Sequence, residues 1–150
     1  MKASDLFVKC LENEGIEYIF GVPGEENADF LMSLQSSNKI KFILTRHEQG
    51  AAFMAESYGK LTGKLSCCLS TLGPGATNLL TGVADANMDH SPVLVITGQG
   101  SSNRLHKESH QIMDVCNIFK SVTKWTSSVR DPSTIPEIVR KAVRLATLEK

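Results

Sequence analysis

Apolar positions along the chain change period repeatedly, and each change marks an element. Leu6, Phe7, Cys10 and Leu11 recur at three- and four-residue spacing, so residues 3–14 read as an amphipathic helix capped by Ser4 and stopped by Gly15. Ile16-Glu17-Tyr18-Ile19-Phe20 is β-branched and aromatic and empties into Gly21, Pro23 and Gly24, a strand followed by a loop. The same reading gives helices over 27–36, 49–62 and 76–87, and strands over 40–44, 65–71 and 92–100. Residues 101–117 are polar and irregular, 121–129 read as a fifth strand, and 132–148 as a closing helix with Ile135, Ile138, Val139, Ala142, Val143 and Leu145 as its apolar positions. Strands that are short and almost wholly apolar, alternating with helices across brief connections, predict an α/β fold with a mostly parallel sheet covered on both faces.

In such sheets ligands gather beyond the carboxyl ends of the strands. Four predicted strand ends carry unusual residues: Val22-Pro23-Gly24, Thr45 to Glu48, Thr71 to Gly75, and Thr97-Gly98-Gln99-Gly100. All four belong on one rim. Specificity has to be local to that rim, because Lys plus Arg and Asp plus Glu number 16 each and the formal charge is zero. No basic face or acidic tail points to nucleic acid or membrane. No apolar run approaches the roughly 18 residues of a membrane span and no signal peptide opens the chain, so the expected compartment is the cytoplasm.

The cysteines Cys10, Cys67, Cys68 and Cys116 lack CxxC spacing and are expected to be reduced, with Cys67 and Cys68 on opposite faces of one strand. Of the histidines, only His106 and His110 share a helical spacing; the polar stretch between them and the lack of HEXXH argue against zinc, so no metal ligand is expected. With no internal repeat or low-complexity linker, residues 1–150 are expected to form one domain, a piece of a longer protein.

Neither GxxxxGK(S/T) nor GxGxxG is present, so the glycine-rich turns GVPGEEN, LGPGATN and TGQG are not a phosphate loop of those kinds. Singly, they have ordinary readings. Gly73-Pro74-Gly75 makes a sharp turn, Thr77 and Asn78 cap a helix, Glu48 complements a helix dipole from the first turn, and Gln99 is a solvated strand end. As an ordered set, FGVPG, RHEQGAAFMA, TLGPGATNLLTG, PVLVITGQ, HQIMD and VTKW resemble the pyrimidine-binding (PYR) domain of thiamine-diphosphate-dependent enzymes, acetolactate synthases above all, over nearly the whole chain.

That resemblance implies a three-layer α/β/α fold whose central sheet has about six strands. It also implies a role for Glu48: in the family a glutamate at this place hydrogen-bonds N1′ of the cofactor's aminopyrimidine, favouring the tautomer that deprotonates C2 of the thiazolium. The carboxyl then has to hold or share a proton at neutral pH, so burial must outweigh the helix N-terminus beside it. Gly50, Ala51 and Ala52 would let their helix approach its neighbours and the cofactor closely. By the same resemblance Val22 and Pro23 line the pyrimidine, Gly24 sits beside the reacting centre, Thr71, Pro74 and Asn78 shape the cleft, and Gln99 is a second catalytic residue pointing to the cofactor's reactive side. His110 and Gln111, in a stretch similar to the catabolic acetolactate synthases, would meet substrate; a surface position is the alternative for His110. Arg46 and His47 would be supporting residues.

The implied substrate is pyruvate or a related 2-keto acid, and the implied assembly a homodimer or tetramer through pairing of PYR domains, with the helix spanning 50–58 as the contact. Mg²⁺ would be held through a domain outside this chain. Two departures stand out. Glu25 follows the Pro-Gly turn where the family has a small residue, which puts carboligation specificity in doubt. FAD has weak support, because Ile138 stands where flavin-binding members have arginine, and Arg140 faces elsewhere on the helix. Other thiamine-diphosphate enzymes acting on 2-keto acids, such as a decarboxylase or pyruvate oxidase, and a non-catalytic α/β module are the alternative functions.

Overall fold

Four strands, β1 (Tyr18–Gly21), β2 (Lys41–Leu44), β3 (Ser66–Ser70) and β4 (Val93–Thr97), form a parallel sheet in the order β2-β1-β3-β4 in the computed structural model, which describes residues 1–148. All five residues of β3 are buried, as its central place requires. The α/β class and parallel sheet are as the sequence predicts, with four strands among the described residues in place of about six.

Helices α1 (Ala3–Asn13), α2 (Ala28–Leu34), α3 (Glu48–Thr62), α4 (Pro74–Asn78), α5 (Leu80–Met88), α6 (Val115–Phe119) and α7 (Ile135–Thr147) cover the sheet on both sides. One core unites Val8 and Leu11 of α1 with Ile19, Cys67 and Leu69 of the sheet and Val139 and Val143 of α7. The other unites Ala51, Ala52 and Ala55 of α3 with Phe20, Cys68, Val83 of α5 and Phe119 of α6. Cys67 and Cys68 therefore point to opposite faces, as the strand period demands, and all four cysteines are free thiols. No helix among the described residues is long and apolar enough to cross a membrane.

Local chemistry sets the helix ends. Gly15, at φ +79°, closes α1: its N–H donates to the Glu12 carbonyl, and that of Ile16 to the Leu11 carbonyl, the paired bonds of a Schellman ending. The expected cap at Ser4 is not one. Helix α1 begins at Ala3, so Lys2 stands at the cap position with its N–H bound to the Asp5 carboxylate, and the Ser4 hydroxyl instead accepts from Ser33 on α2. The helix read over 76–87 is two: α4 starts at Pro74, and the chain tightens at Leu79, whose N–H reaches back to the Ala76 carbonyl before α5 begins.

The expected fifth strand over 121–129 is a turn and bend over 121–124 followed by irregular coil. Its residues are taken up by the neighbouring helices: Val122 N–H and Thr123 Oγ1 both bond the Phe119 carbonyl, the Lys124 ammonium binds the Leu145 and Leu148 carbonyls at the end of α7, and the Lys141 ammonium lies 4.8 Å from the centre of the Trp125 ring. A cavity of about 1350 Å³ separates this coil from β4, whose outer edge is unpaired among the described residues. Inside 101–117, read as irregular, α6 forms because the Asp114 carboxylate caps it, accepting from the Asn117 N–H at 3.1 Å.

Candidate functional site

The chain runs from β1 outward to β2, then returns to place β3 on the other side of β1. The exits of β1 and β3 thus diverge at the switch point of the sheet, where a crevice opens. The β1 exit is fixed from both sides. Val22 N–H donates to the Leu69 carbonyl at 3.2 Å. Behind it Glu25–Asn27 forms one 3₁₀ turn, from which the buried Asn27 accepts from the Gly24 N–H at 2.8 Å and donates to the Val22 carbonyl at 3.2 Å. One asparagine therefore shapes the whole Val-Pro-Gly corner. It leaves Pro23 exposed and Val22 half-buried on the rim.

Glu48 reaches the same crevice from the exit of β2. It is the first residue of α3, His47 serving as the cap with Nδ1 accepting from the Gln49 N–H at 3.1 Å. His47 and Arg46 are exposed, whereas Glu48 is only 9% exposed. Its carboxyl meets the exit of β3. Asn78 Nδ2 donates to Oε2 at 3.0 Å, the one side chain donating to this carboxyl among the described residues. The other oxygen faces Gly75, where an added Cβ would lie 3.2 Å from Oε1 and 2.9 Å from Thr71 Cγ2. Glycine keeps that floor open.

Gly24 abuts the Thr71 side chain so closely that any Cβ there would overlap it. Thr71 Oγ1 donates to Glu26 Oε2 at 3.0 Å, and Gly98, at the exit of β4, packs on Glu26. Glu48, Asn78, Gly75, Thr71, Gly24 and Glu26 therefore make one contiguous corner. Of these, Glu26 was not singled out in the sequence. The signal was available in its place three residues after Pro23, but its contact with Thr71 joins positions 45 apart.

Other expected residues lie differently. Gln99 is turned away from the Glu48 corner: Nε2 donates to the Met113 carbonyl at 2.9 Å and Oε1 accepts from the Gly100 N–H at 2.9 Å, so both ends of its amide fasten the loop that follows β4. His110 and Gln111 are exposed; Gln111 adopts φ +58°, and its carbonyl closes over Gly73, where a Cβ would meet it at 2.5 Å. Glu25 is exposed and Pro74 lies on the rim. Gly50 is exposed and a Cβ added there would meet nothing within 4 Å, so the close approach of α3 depends instead on Ala51, Ala52 and Ala55, with Gly82 of α5 pressed against Ala52. Arg140 pairs at 3.8 Å with Glu14, the residue that follows α1, on the far side of the sheet. An acidic group away from the crevice, Glu56, Asp85 and Asp89, already holds the Lys60 ammonium, which ion-pairs Glu56 at 2.6 Å and also Asp89.

The model of the thiamine pyrophosphate enzyme N-terminal TPP-binding domain matches residues 1–118, which include every strand and the whole Glu48 corner. The chain belongs to this family. Among curated proteins, an archaeal one from Methanocaldococcus jannaschii named a probable acetolactate synthase large subunit is 41% identical over 98% of this chain and 25% of its own length. The acetolactate synthase of Arthrospira platensis is 43% identical over 93% of this chain and 24% of its own. The chloroplastic acetolactate synthase of Arabidopsis thaliana is 39% identical over 97% and 22%. The chain spans about a quarter of the length of these relatives.

Proposed function

We propose that this chain is the pyrimidine-binding domain of an acetolactate synthase, which joins two pyruvates with loss of CO₂, and that Glu48 is the carboxyl that handles a proton at the cofactor's pyrimidine ring. One observation carries the reading: the Glu48 carboxyl is buried at the β1/β3 crevice, held through Oε2 by Asn78 and open through Oε1 over Gly75. These residues fit an aminopyrimidine. A carboxyl oxygen without a protein donor can share a proton with a ring nitrogen, glycines at 24 and 75 admit a flat ring, and Val22, Pro23 and Pro74 supply apolar edges. The bound cofactor would supply carbanion stabilisation at the 2-keto acid carbon.

Within this reading Glu48 gives or shares its proton, while the Gly24 and Gly75 backbones set how closely the ring can approach it. Glu25, His110 and Gln111 lie exposed along the rim, where a substrate carboxylate would pass. By the family resemblance the Mg²⁺ and diphosphate would be held by a domain outside this chain. Exposed Met54 and Leu61 on α3 and Met88 on α5 support pairing of two such domains through these helices. Sedimentation that finds only monomer at high concentration would count against that pairing.

The deciding experiment is Glu48→Gln in the full-length protein with pyruvate as substrate. Loss of turnover by about 10²–10⁴-fold, the usual scale for a general acid–base group, is expected with melting behaviour unchanged. The wild-type product should decarboxylate to acetoin on acid treatment. Acetaldehyde or acetyl phosphate would assign a decarboxylase or an oxidase instead, and unchanged turnover in Glu48→Gln would make the domain a non-catalytic module.

A further inference from the structure

We propose that Glu26 is a positioning residue of the crevice, acting through Thr71: by accepting the Thr71 hydroxyl it turns the methyl of that threonine, and not the hydroxyl, toward the crevice floor beside Glu48. The inference deepens the reading of Glu48 given above and rests on it for its functional meaning. Thr71 Oγ1 donates to Glu26 Oε2 at 3.0 Å, which uses the one proton that the hydroxyl has to give. The two γ atoms of a threonine keep a fixed angle about χ1, so a bond that holds Oγ1 against Glu26 also fixes Cγ2. Cγ2 lies at the floor: a Cβ built on Gly75 would stand 2.9 Å from it and 3.2 Å from Glu48 Oε1, so methyl and carboxyl oxygen border the same gap. A hydroxyl in the methyl's place would set a donor beside the Glu48 oxygen that has no side-chain donor among the described residues, and would compete there with a ligand nitrogen.

The setting of Glu26 is itself built. Asn27, the next residue of the 3₁₀ turn, is buried and bonded to the Gly24 N–H and the Val22 carbonyl, so the turn that carries Glu26 is fixed to the exit of β1. From the exit of β4, Gly98 presses on Glu26: a Cβ there would lie 3.0 Å from Glu26 Cβ and 3.2 Å from its carbonyl carbon and oxygen. Gly98 is held in turn by its N–H, which donates to the Ser70 carbonyl at 2.9 Å. On the far side of Thr71, Gly24 backs onto the side chain so closely that a Cβ would overlap Thr71 Cβ and Oγ1. Glu26 makes no ion pair among the described residues, and the Thr71 hydroxyl is its one side-chain partner there. An acid that only solvates a turn needs no such setting. Its neighbour Glu25 is exposed and has none of it.

The test reads the Thr71 rotamer in the ligand-free full-length protein by NMR with the label confined to threonine methyls, the Thr71 signal being identified by its loss in Thr71→Val. Glu26→Gln keeps an acceptor oxygen and removes the acid, whereas Glu26→Leu removes both. The methyl carbon shift, which follows χ1, should hold its wild-type value in Glu26→Gln and move to an averaged one in Glu26→Leu. Thiamine diphosphate, titrated calorimetrically, should bind about five- to tenfold more weakly to Glu26→Leu than to Glu26→Gln, the scale of one competing hydrogen bond. In a Thr71→Val background Glu26→Leu should cost nothing further, because no hydroxyl is left to turn. A wild-type rotamer in Glu26→Leu overturns the inference, and so does an equal loss of binding in the Thr71→Val background. Should Glu26→Leu fail to fold, Glu26→Ala removes the same acceptor and is read in the same way; a Thr71 methyl already averaged in the wild type also overturns the inference. If the wild type binds no thiamine diphosphate, the reading of Glu48 fails while the rotamer result stands.

Discussion

Asn27 does more for the crevice than any of the glycines around it. It is buried, and its two bonds to the Gly24 N–H and the Val22 carbonyl satisfy the corner that the 3₁₀ turn over Glu25–Asn27 leaves open. Asn27→Ala should lower stability by about 1–3 kcal/mol, the cost of leaving polar groups without partners. Urea unfolding would register it as a lower midpoint at unchanged slope. Gly73 is the second residue on which the corner depends, because at φ +57° and ψ −123° it occupies backbone space that side chains do not tolerate, with the Gln111 carbonyl against it. Gly73→Ala is expected to cost about 1–3 kcal/mol and to loosen the loop over 110–113, measurable as faster amide exchange there. The sequence exposes both positions as turn residues. The partner of each is hidden, since Gln111 lies far along the chain and the reach of Asn27 depends on a 3₁₀ turn that GVPGEEN does not announce.

At the scale of elements, α3 ties the fold to the site. Its small residues Ala51, Ala52 and Ala55 are fully buried, and Gly82 brings α5 so near that a Cβ there would lie 2.6 Å from Ala52 Cβ. Gly82→Ala should force the helices apart and destabilise by about 1–3 kcal/mol, read as a lower melting temperature. One turn further, Glu56 is buried between the same helices, and burial pushes its carboxyl above the ordinary glutamate range against the opposing pull of Lys60. A folded acid with a raised value binds protons more readily than the unfolded chain, so its contribution is full below about pH 4 and fades as pH rises through the folded value. Glu56→Gln removes that loss. The melting temperature of the variant relative to wild type should therefore climb between about pH 4 and 7, and a flat difference would contradict this account. The amphipathic period of α3 is plain in the sequence, but the place of Glu56 on its buried side against α5 is not.

For the whole molecule, the two cores meet across β3, where Cys67 and Cys68 point to opposite sides. Burial drives the Cys67 thiol well above its usual range and pushes that of Cys68 up to about 12. Thiolate is the reactive form, so alkylation near pH 8 should label Cys10 and Cys116 first and reach Cys67 and Cys68 only at the rate of global opening. Mass spectrometry of the labelled peptides would separate the two classes. Equal rates would mean that the sheet opens locally. The missing fifth strand belongs to this scale as well. The run over 121–129 has strand-like composition, yet Trp125 and Lys124 are claimed by α7, and coil results.

The sequence by itself determined the α/β class, the parallel sheet and the common rim of its glycine-bearing corners. The reason is general: alternating short apolar runs and amphipathic stretches leave few ways to bury both faces, and parallel strands all end on the same side. Only the tertiary structure decided that β3 returns beside β1, so that the exits holding Gly24 and Gly75 share one crevice. It also joined Asn78 to Glu48 across 30 positions and turned Gln99 into the loop after β4. Strand order and side-chain direction depend on neighbours remote along the chain, and local period carries no record of them.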